Sequence, residues 1–447
     1  TNALVITTQR YLSFYHGKND PQQVRTVFGN SWLLHLFIGL IVMAVLCALG
    51  PWITQGFLNI EDSRRGAAMF VYFAAATMLF LSFTTAPIRA LFVARENIVY
   101  TSIVDVLDGV LKFIIAMCLS RIAYEHLIAY SSLLVGIALF NLLAFGIYAA
   151  AKYSEFHLPR LRELDWQYVK GLSYFAGWTV YSTGCVIARN QGLSVVLNLF
   201  YGTLVNSAYG IAQQVSGAVQ FLSASIISAM NPQIMKAEGA GERTKMVQLS
   251  ESASKYAFLL LSLVAIPLIA EMDIVLHFWL REVPEHAVMF CRFILIAALC
   301  DQISVGLTSA NQAVGKIRVY NLVFYTLKLT VVIIAWWCLK KGLPLISVMG
   351  FYTGIEFITS LLRLPLMKHI ADIPMLPFCK NVFLRIIVPC IAMSVTCYVS
   401  VRFIDLPWRL AITATASLIM GISTIWGFAL RSEERQYIKH TITKLKK

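Results

Sequence analysis

Runs of about 20 residues with few charges recur along almost the whole sequence, separated by short polar breaks, and that repetition leaves few folds open. A bilayer core of about 30 Å takes about 20 apolar residues to cross as an α-helix, and no lipid-facing backbone group can go unpaired there. The sequence therefore predicts an all-α, polytopic membrane protein with no separate soluble domain. Hydrophobic residues make up 58% of the 447 positions and charged residues 13%, with a mean hydropathy of +0.70. Ordinary soluble domains are roughly 45–50% apolar and about 25% charged. Candidate spans fall near 29-54, 68-93, 98-120, 127-151, 171-199, 204-230, 253-278, 286-312, 319-339, 345-366, 384-403 and 409-430, about twelve in all.

A formal charge of +14 would suggest nucleic acid as a partner of a soluble protein. In a membrane protein the useful question is which side holds the Lys and Arg. The breaks near 10-25, 89-95, 152-170, 236-255, 316-318 and 363-385, with the tail from Arg431, hold 25 of the 37. These are assigned to the cytoplasm, and nucleic acid drops out as a partner. The nine cysteines lie mostly inside apolar runs without CxxC spacing, which fits packing residues and predicts neither a metal site nor a disulfide framework. No cofactor is expected. The aromatic pairs Phe278-Trp279 and Trp336-Trp337 suit an interfacial belt.

An internal repeat organises the chain. Thr8 to Asp20 aligns without gaps on Met230 to Glu242, each a span end followed by Gly-x-x-acid. The same offset of about 220 residues brings Ile98-Val99-Tyr100-Thr101 onto Arg318-Val319-Tyr320-Asn321. Equal offset with equal orientation describes a parallel repeat about an axis along the membrane normal, an arrangement known among transporters. The spans from about 171 to 230 have no upstream counterpart beyond the stub Thr1 to Phe14. The repeat thus predicts two further helices ahead of this sequence.

Three segments carry a family resemblance. They are Gln191-Gly192-Leu193-Ser194-Val195-Val196-Leu197-Asn198-Leu199-Phe200-Tyr201-Gly202, Val205-Asn206-Ser207-Ala208-Tyr209-Gly210-Ile211-Ala212 and Asn231-Pro232-Gln233-Ile234. Together they resemble the oligosaccharide flippases of capsule and lipopolysaccharide assembly, in the multidrug/oligosaccharidyl-lipid/polysaccharide exporter superfamily. Thr8-Gln9-Arg10-Tyr11-Leu12-Ser13 and Gly17-Lys18-Asn19-Asp20 look like the loop after helix 2 of that group. The resemblance implies two six-helix lobes around a cavity that opens alternately to each side of the bacterial plasma (inner) membrane. On this chain they become an N-terminal lobe at 1-158 lacking two helices, an interlobe cytoplasmic linker at 159-170 and a C-terminal lobe at 171-370. An additional helix pair at 371-430 and a basic cytoplasmic tail at 431-447 complete it. The segment 159 to 170 further suggests an interfacial helix on an anionic leaflet.

Polar residues at membrane depth are the candidate site, because an ionised group there is costly and must face protein or water. At 1.5 Å per residue, Arg189 lies about 20 Å below the turn near Gly202, and Gln213 and Gln214 return to a similar depth. Lys328, Asp301 and Glu356 also fall near the midplane, whereas Arg89 and Arg363 are placed at cytoplasmic ends, where they can snorkel. Arg189 is open to two readings: a bidentate guanidinium for phosphate, or a counter-ion to a carboxylate on a neighbouring helix. Lys328 has the same ambiguity. Asp301 and Glu356 suit either a coupling proton or sodium ion or the role of counter-ions to Arg189 and Lys328. Asp105, Asp108 and Lys112 share one helical face, and Asp108 to Lys112 has the acid-first i,i+4 order of an internal ion pair. Pro87, Pro232 and Pro267 fall within spans, where breaks are tolerated.

The leading expectation is a flippase for a lipid-linked oligosaccharide that moves among membrane lipids. Arg189 and Lys328 would offset the phosphate charge, and Gln213, Gln214, Gln302, Asn311 and Gln312 would bind sugar hydroxyls. The alternative is a MATE-type cation-coupled multidrug efflux antiporter of the same fold. An enzyme is disfavoured, since the short breaks on the other side carry no Ser/His/Asp or His/Asp constellation.

Overall fold

The computed structural model describes residues 2–57, 60–119, 125–158, 160–404 and 408–436. Pro159 of the expected linker, Arg121 and residues 437–447 of the basic tail lie outside the described residues. Helices dominate throughout: α1 (Asn2–Gly17), α2 (Pro21–Trp52), α3 (Arg65–Ala94), α4 (Ile98–Cys118), α5 (His126–Lys152), α6 (Trp166–Gly239), α7 (Arg243–Ala270) and α8 (Met272–Trp279). They continue with α9 (Ala287–Gln302), α10 (Val305–Val314), α11 (Ile317–Lys340), α12 (Leu345–Ala371), α13 (Met375–Phe378), α14 (Leu384–Phe403) and α15 (Arg409–Thr424).

Among the described residues nine helices are long and apolar enough to cross a membrane, or ten if α9 and α10, bent by 44° at their break, make one span. The α6 helix is two spans, because Gly202 adopts φ 76°, ψ −168° and turns the chain back, a conformation that glycine takes without a Cβ clash. Adding α4, an apolar helix that carries three charged residues, Asp105, Asp108 and Lys112, gives the twelve expected from hydropathy. Local chemistry sets several starts. Asp20 caps α2, accepting from Gln23 N at 3.0 Å, with Pro21 in the first turn. Asp165 caps α6 through Gln167 N at 2.8 Å. The segment expected to form an interfacial helix is instead a 3-10 turn, Leu161–Glu163, followed directly by α6.

The chain divides into two compact units. Unit 1 comprises 1–180 and 235–242, and unit 2 comprises 181–234 and 243–447. Unit 1 is built around Phe28, Trp32, Phe92 and Phe145, with Tyr100 stacked on Phe92 at 5.1 Å. The repeat segments meet inside it. A Cβ on Gly17 would lie 2.1 Å from the Lys236 carbonyl oxygen, and one on Gly239 would lie 2.0 Å from that of Phe14. At an offset of 222, Gly17 corresponds to Gly239 and Phe14 to Lys236. The contact is thus reciprocal, as expected of two related helix ends crossing about a local two-fold.

In unit 2 the helices α7, α9, α11 and α12 enclose the core, which includes Leu261, Phe290, Ile294 and Met349. The final pair, α14 and α15, belongs to this unit and is fastened to α7 by charge at both ends. Glu271, fully buried, accepts from Arg409 at 3.0 Å and Thr413 at 2.8 Å. At the opposite end of α7, Glu251 accepts from Asn381 and Arg431, both at 2.9 Å, and Lys255 meets Glu434 at 2.7 Å.

Candidate functional site: a buried charge network in unit 2

Charged and polar side chains from five helices of unit 2 converge on one cavity of about 280 Å³. Helix α6 supplies Arg189 and Asn190 before its turn and Gln213, Ser216 and Gln220 after it. Helix α9 supplies Asp301 from its last turn, α10 Thr308, α11 Tyr325 and Lys328, and α12 Tyr352, Glu356 and Arg363. Spacings of four and seven residues place the last three on one face of α12.

The five ionisable groups form a chain of alternating sign. Arg189 pairs with Glu356 through Nη1 and Oε1. The other carboxylate oxygen of Glu356 lies 2.7 Å from Lys328 Nζ. Lys328 also donates to Asp301 Oδ1 at 2.9 Å, and Arg363 Nη2 donates to the same oxygen at 2.6 Å. The order is therefore Arg189, Glu356, Lys328, Asp301, Arg363, with three cations and two carboxylates. All are buried except Asp301, whose side chain is 26% exposed. The Arg189 guanidinium sits 4.8 Å from the Tyr352 ring centre, a cation–π contact that holds the fork in place.

Arg363 has a second task. Its Nη1 donates to the Asp301 backbone carbonyl at 3.0 Å, next to the break between α9 and α10. Ser304, in the break, bonds to both the carbonyl and the hydroxyl of Ser360 at 2.8 Å. Groups freed where the helix ladder is interrupted are thus satisfied from neighbouring helices, the Asp301 carbonyl from α12 and the Gly306 N–H by Ser254 of α7 at 2.9 Å, as a bent span in lipid requires.

Of the residues expected from sequence, Arg189, Lys328, Gln213, Asp301 and Glu356 line this cavity. Gln214 is exposed and points elsewhere, Gln302 and Asn311 are buried outside the lining, and Gln312 is half-buried outside it. Arg363 corrects the expectation: it does not snorkel but is buried, because α12 runs on to Ala371. Tyr325, Tyr352 and Ser216 were also missed. The spacing Tyr352, Glu356, Arg363 was the available signal, since it writes a polar stripe on an apolar helix.

Unit 1 holds a smaller-charged counterpart built from the equivalent helices. A cavity of about 340 Å³ is lined by Arg89, Asp108, Lys112 and Asn141, among apolar residues of α3, α4 and α5. Arg89, its side chain 42% exposed, grips Asp105 with two parallel bonds of 2.9 Å. The expected Asp108–Lys112 pair is present at 2.7 Å, and Asn141 donates to Asp108 at 2.7 Å. At the repeat offset of 220, Asp108 corresponds to Lys328, so equivalent positions carry opposite charge. The two cations and two acids here balance, whereas unit 2 has a surplus cation.

Comparison with known proteins agrees with this architecture. The MatE family model matches residues 3–118. No curated protein matches the chain in sequence. Among solved structures, a MATE protein in complex with MaL6 superposes with a TM-score of 0.71 at 12% identity, covering 83% of this chain and 84% of that one. A MOP superfamily transporter from Pyrococcus furiosus, described as having a binding pocket of reverse polarity that suggests a different function, gives 0.72 at 11% identity over 83% and 84%. The MATE transporter ClbM in complex with Rb+ gives 0.69 at 15% identity over 82% of each chain. The chain is a multi-pass membrane protein with the fold of the MATE transporters.

Proposed function

We propose that this chain is a transporter that carries the headgroup of a lipid-linked oligosaccharide across the bacterial plasma membrane, with the cavity of unit 2 receiving its phosphate. The observation that carries the reading is the surplus cation in a buried, five-membered charge network. An uncompensated positive charge at membrane depth is unfavourable, so the cavity is completed by an anion. Arg189 is the best placed to receive it, since its fork matches phosphate geometry at one end of the network, whereas both Nη groups of Arg363 at the other end are held by Asp301. Lys328 offsets the charge beside it. Asn190, Gln213, Ser216 and Gln220 then offer hydrogen bonds to hydroxyl groups. The stretch most like the oligosaccharide flippases, 189–242, includes Arg189, Asn190, Gln213, Ser216 and Gln220 of the α6 wall of the same cavity.

The second reading, a cation-coupled drug antiporter, is favoured by the fold and by the Rb+ bound to ClbM. In this chain both carboxylates of the cavity already face cations, which leaves little for a cationic drug. Asp301, the more open acid, is where a coupling proton or sodium ion would act within the flippase reading.

Removing Arg189 leaves two cations and two acids, each acid still paired, so Arg189→Ala should fold and melt near wild type. Flipping of a fluorescent lipid-linked oligosaccharide in proteoliposomes should fall by roughly 10- to 100-fold, the loss of one charge-assisted contact. Arg189→Lys, with the charge but not the fork, should lie between. Wild-type flipping by a stably folded Arg189→Ala protein would reject the phosphate role.

A further inference from the structure

A second cationic hollow lies at the end of unit 2 that the charge count assigns to the cytoplasm. It opens between the start of α7, the segment joining α13 to α14, and the residues just after α15, with a volume of about 740 Å³. Lys380, Arg385 and Arg431 line it together with Glu433, and Glu251 and Asp372 lie in the adjoining hollow. Glu251 is already engaged by Arg431 and Asn381. Arg385 donates to the Ala429 carbonyl at 3.1 Å and has no ion pair among the described residues. Lys380 is exposed and has no ion pair among the described residues.

The hollow itself is lined mostly by polar residues, and an exposed apolar stretch flanks it. Leu376 is 83% exposed and Leu384 61% exposed, four residues to either side of Lys380. Below them Ile387, Val388 and Ile391 are exposed along the same stretch of α14. Spacings of three, four and seven from Leu384 put them on one helical face. A phosphate held by Lys380 and Arg385 would therefore have an apolar track for an acyl chain running from it along α14.

We infer that this hollow binds one anionic phospholipid, its phosphate on Lys380 and Arg385 and an acyl chain on Leu384, Ile387 and Ile391. Basic pockets between helix ends on the cytoplasmic side are suited to such headgroups, each nearby cation adding to the attraction. The bound lipid would bridge the final helix pair to α7, beside the Lys255–Glu434 and Glu251–Arg431 contacts.

Native mass spectrometry of the full chain, released from detergent with phosphatidylglycerol or phosphatidylcholine, tests this. One phosphatidylglycerol should be retained at least about tenfold more tightly than phosphatidylcholine. Lys380→Gln should weaken that preference, and Lys380→Gln with Arg385→Gln should abolish it. Because Lys380 holds no ion pair among the described residues, the single variant separates binding from folding even if the double variant melts early. Equal retention of both lipids, or an unchanged preference in Lys380→Gln, would overturn the inference. So would inorganic phosphate displacing phosphatidylglycerol at equal concentration, since the apolar track would then add nothing.

Discussion

Replacing Glu356 by alanine is expected to destabilise the protein by about 3–5 kcal/mol, far more than replacing Arg189. Glu356 is the only carboxylate of the unit 2 network that touches both Arg189 and Lys328. Without it the cavity would hold three cations and Asp301 alone, and among the described residues Asp301 pairs with Lys328 and Arg363. Arg189 would then be a buried guanidinium with no counter-ion. Glu356→Gln should be milder, because the amide oxygen still accepts one hydrogen bond. Neutralising both partners, Glu356→Gln with Arg189→Gln, should recover much of the loss, since no charge is stranded. Melting of the purified variants in detergent is the measurement. A Glu356→Ala protein as stable as wild type would mean that the network is not closed as described.

The second large effect is steric. Gly239→Val should lower stability by roughly 3 kcal/mol or more, because the side chain would meet the Phe14 carbonyl group, which cannot rotate aside. Gly17→Val should act alike against Lys236. Prising the helices apart also strains the Lys236–Glu96 ion pair of 2.6 Å beside the crossing. A single separation relieves both clashes, so Gly17→Ala and Gly239→Ala combined should cost less than the sum of the two. Gly210→Ala is the control: no atom lies within 4 Å of its Cβ position, and the change should be neutral or slightly stabilising. Equal melting temperatures for Gly239→Val and Gly210→Ala would refute the close crossing.

These two sites differ in how far the sequence foretold them. Hydropathy and the repeat suffice for the twelve spans, because covering about 30 Å with helix is a demand that each segment meets by itself. The Gly17 and Gly239 pair was visible as a repeated Gly-x-x-acid, although only the packed helices reveal that each glycine faces the other's helix. Depth counting brought Arg189, Lys328, Asp301 and Glu356 to one level. It could not select between Gln213 and Gln214, since one residue is about 100° of rotation on a helix. It also misplaced Arg363. Hydropathy ends that span near 366, whereas α12 continues to Ala371 before Asp372, at φ 52°, and Pro374 stop it. Which acid meets which base depends on neighbours far apart in sequence: Arg89 finds Asp105, and Arg189 finds Glu356. Periodicity within one helix carries no information about that choice.

The central claim, that the unit 2 cavity is completed by an anion, is most directly tested by ligand-induced thermal stabilisation of the purified protein. Farnesyl diphosphate serves as a short prenyl diphosphate and tetraphenylphosphonium as an apolar cation. A ligand at about 100 times its dissociation constant stabilises the native state by about 2.7 kcal/mol, enough to shift a melting curve. The account predicts that farnesyl diphosphate raises the melting temperature of the wild type and that Arg189→Ala removes most of the shift. Stabilisation by tetraphenylphosphonium and none by the diphosphate would contradict it and place the chain with the cation-coupled drug antiporters.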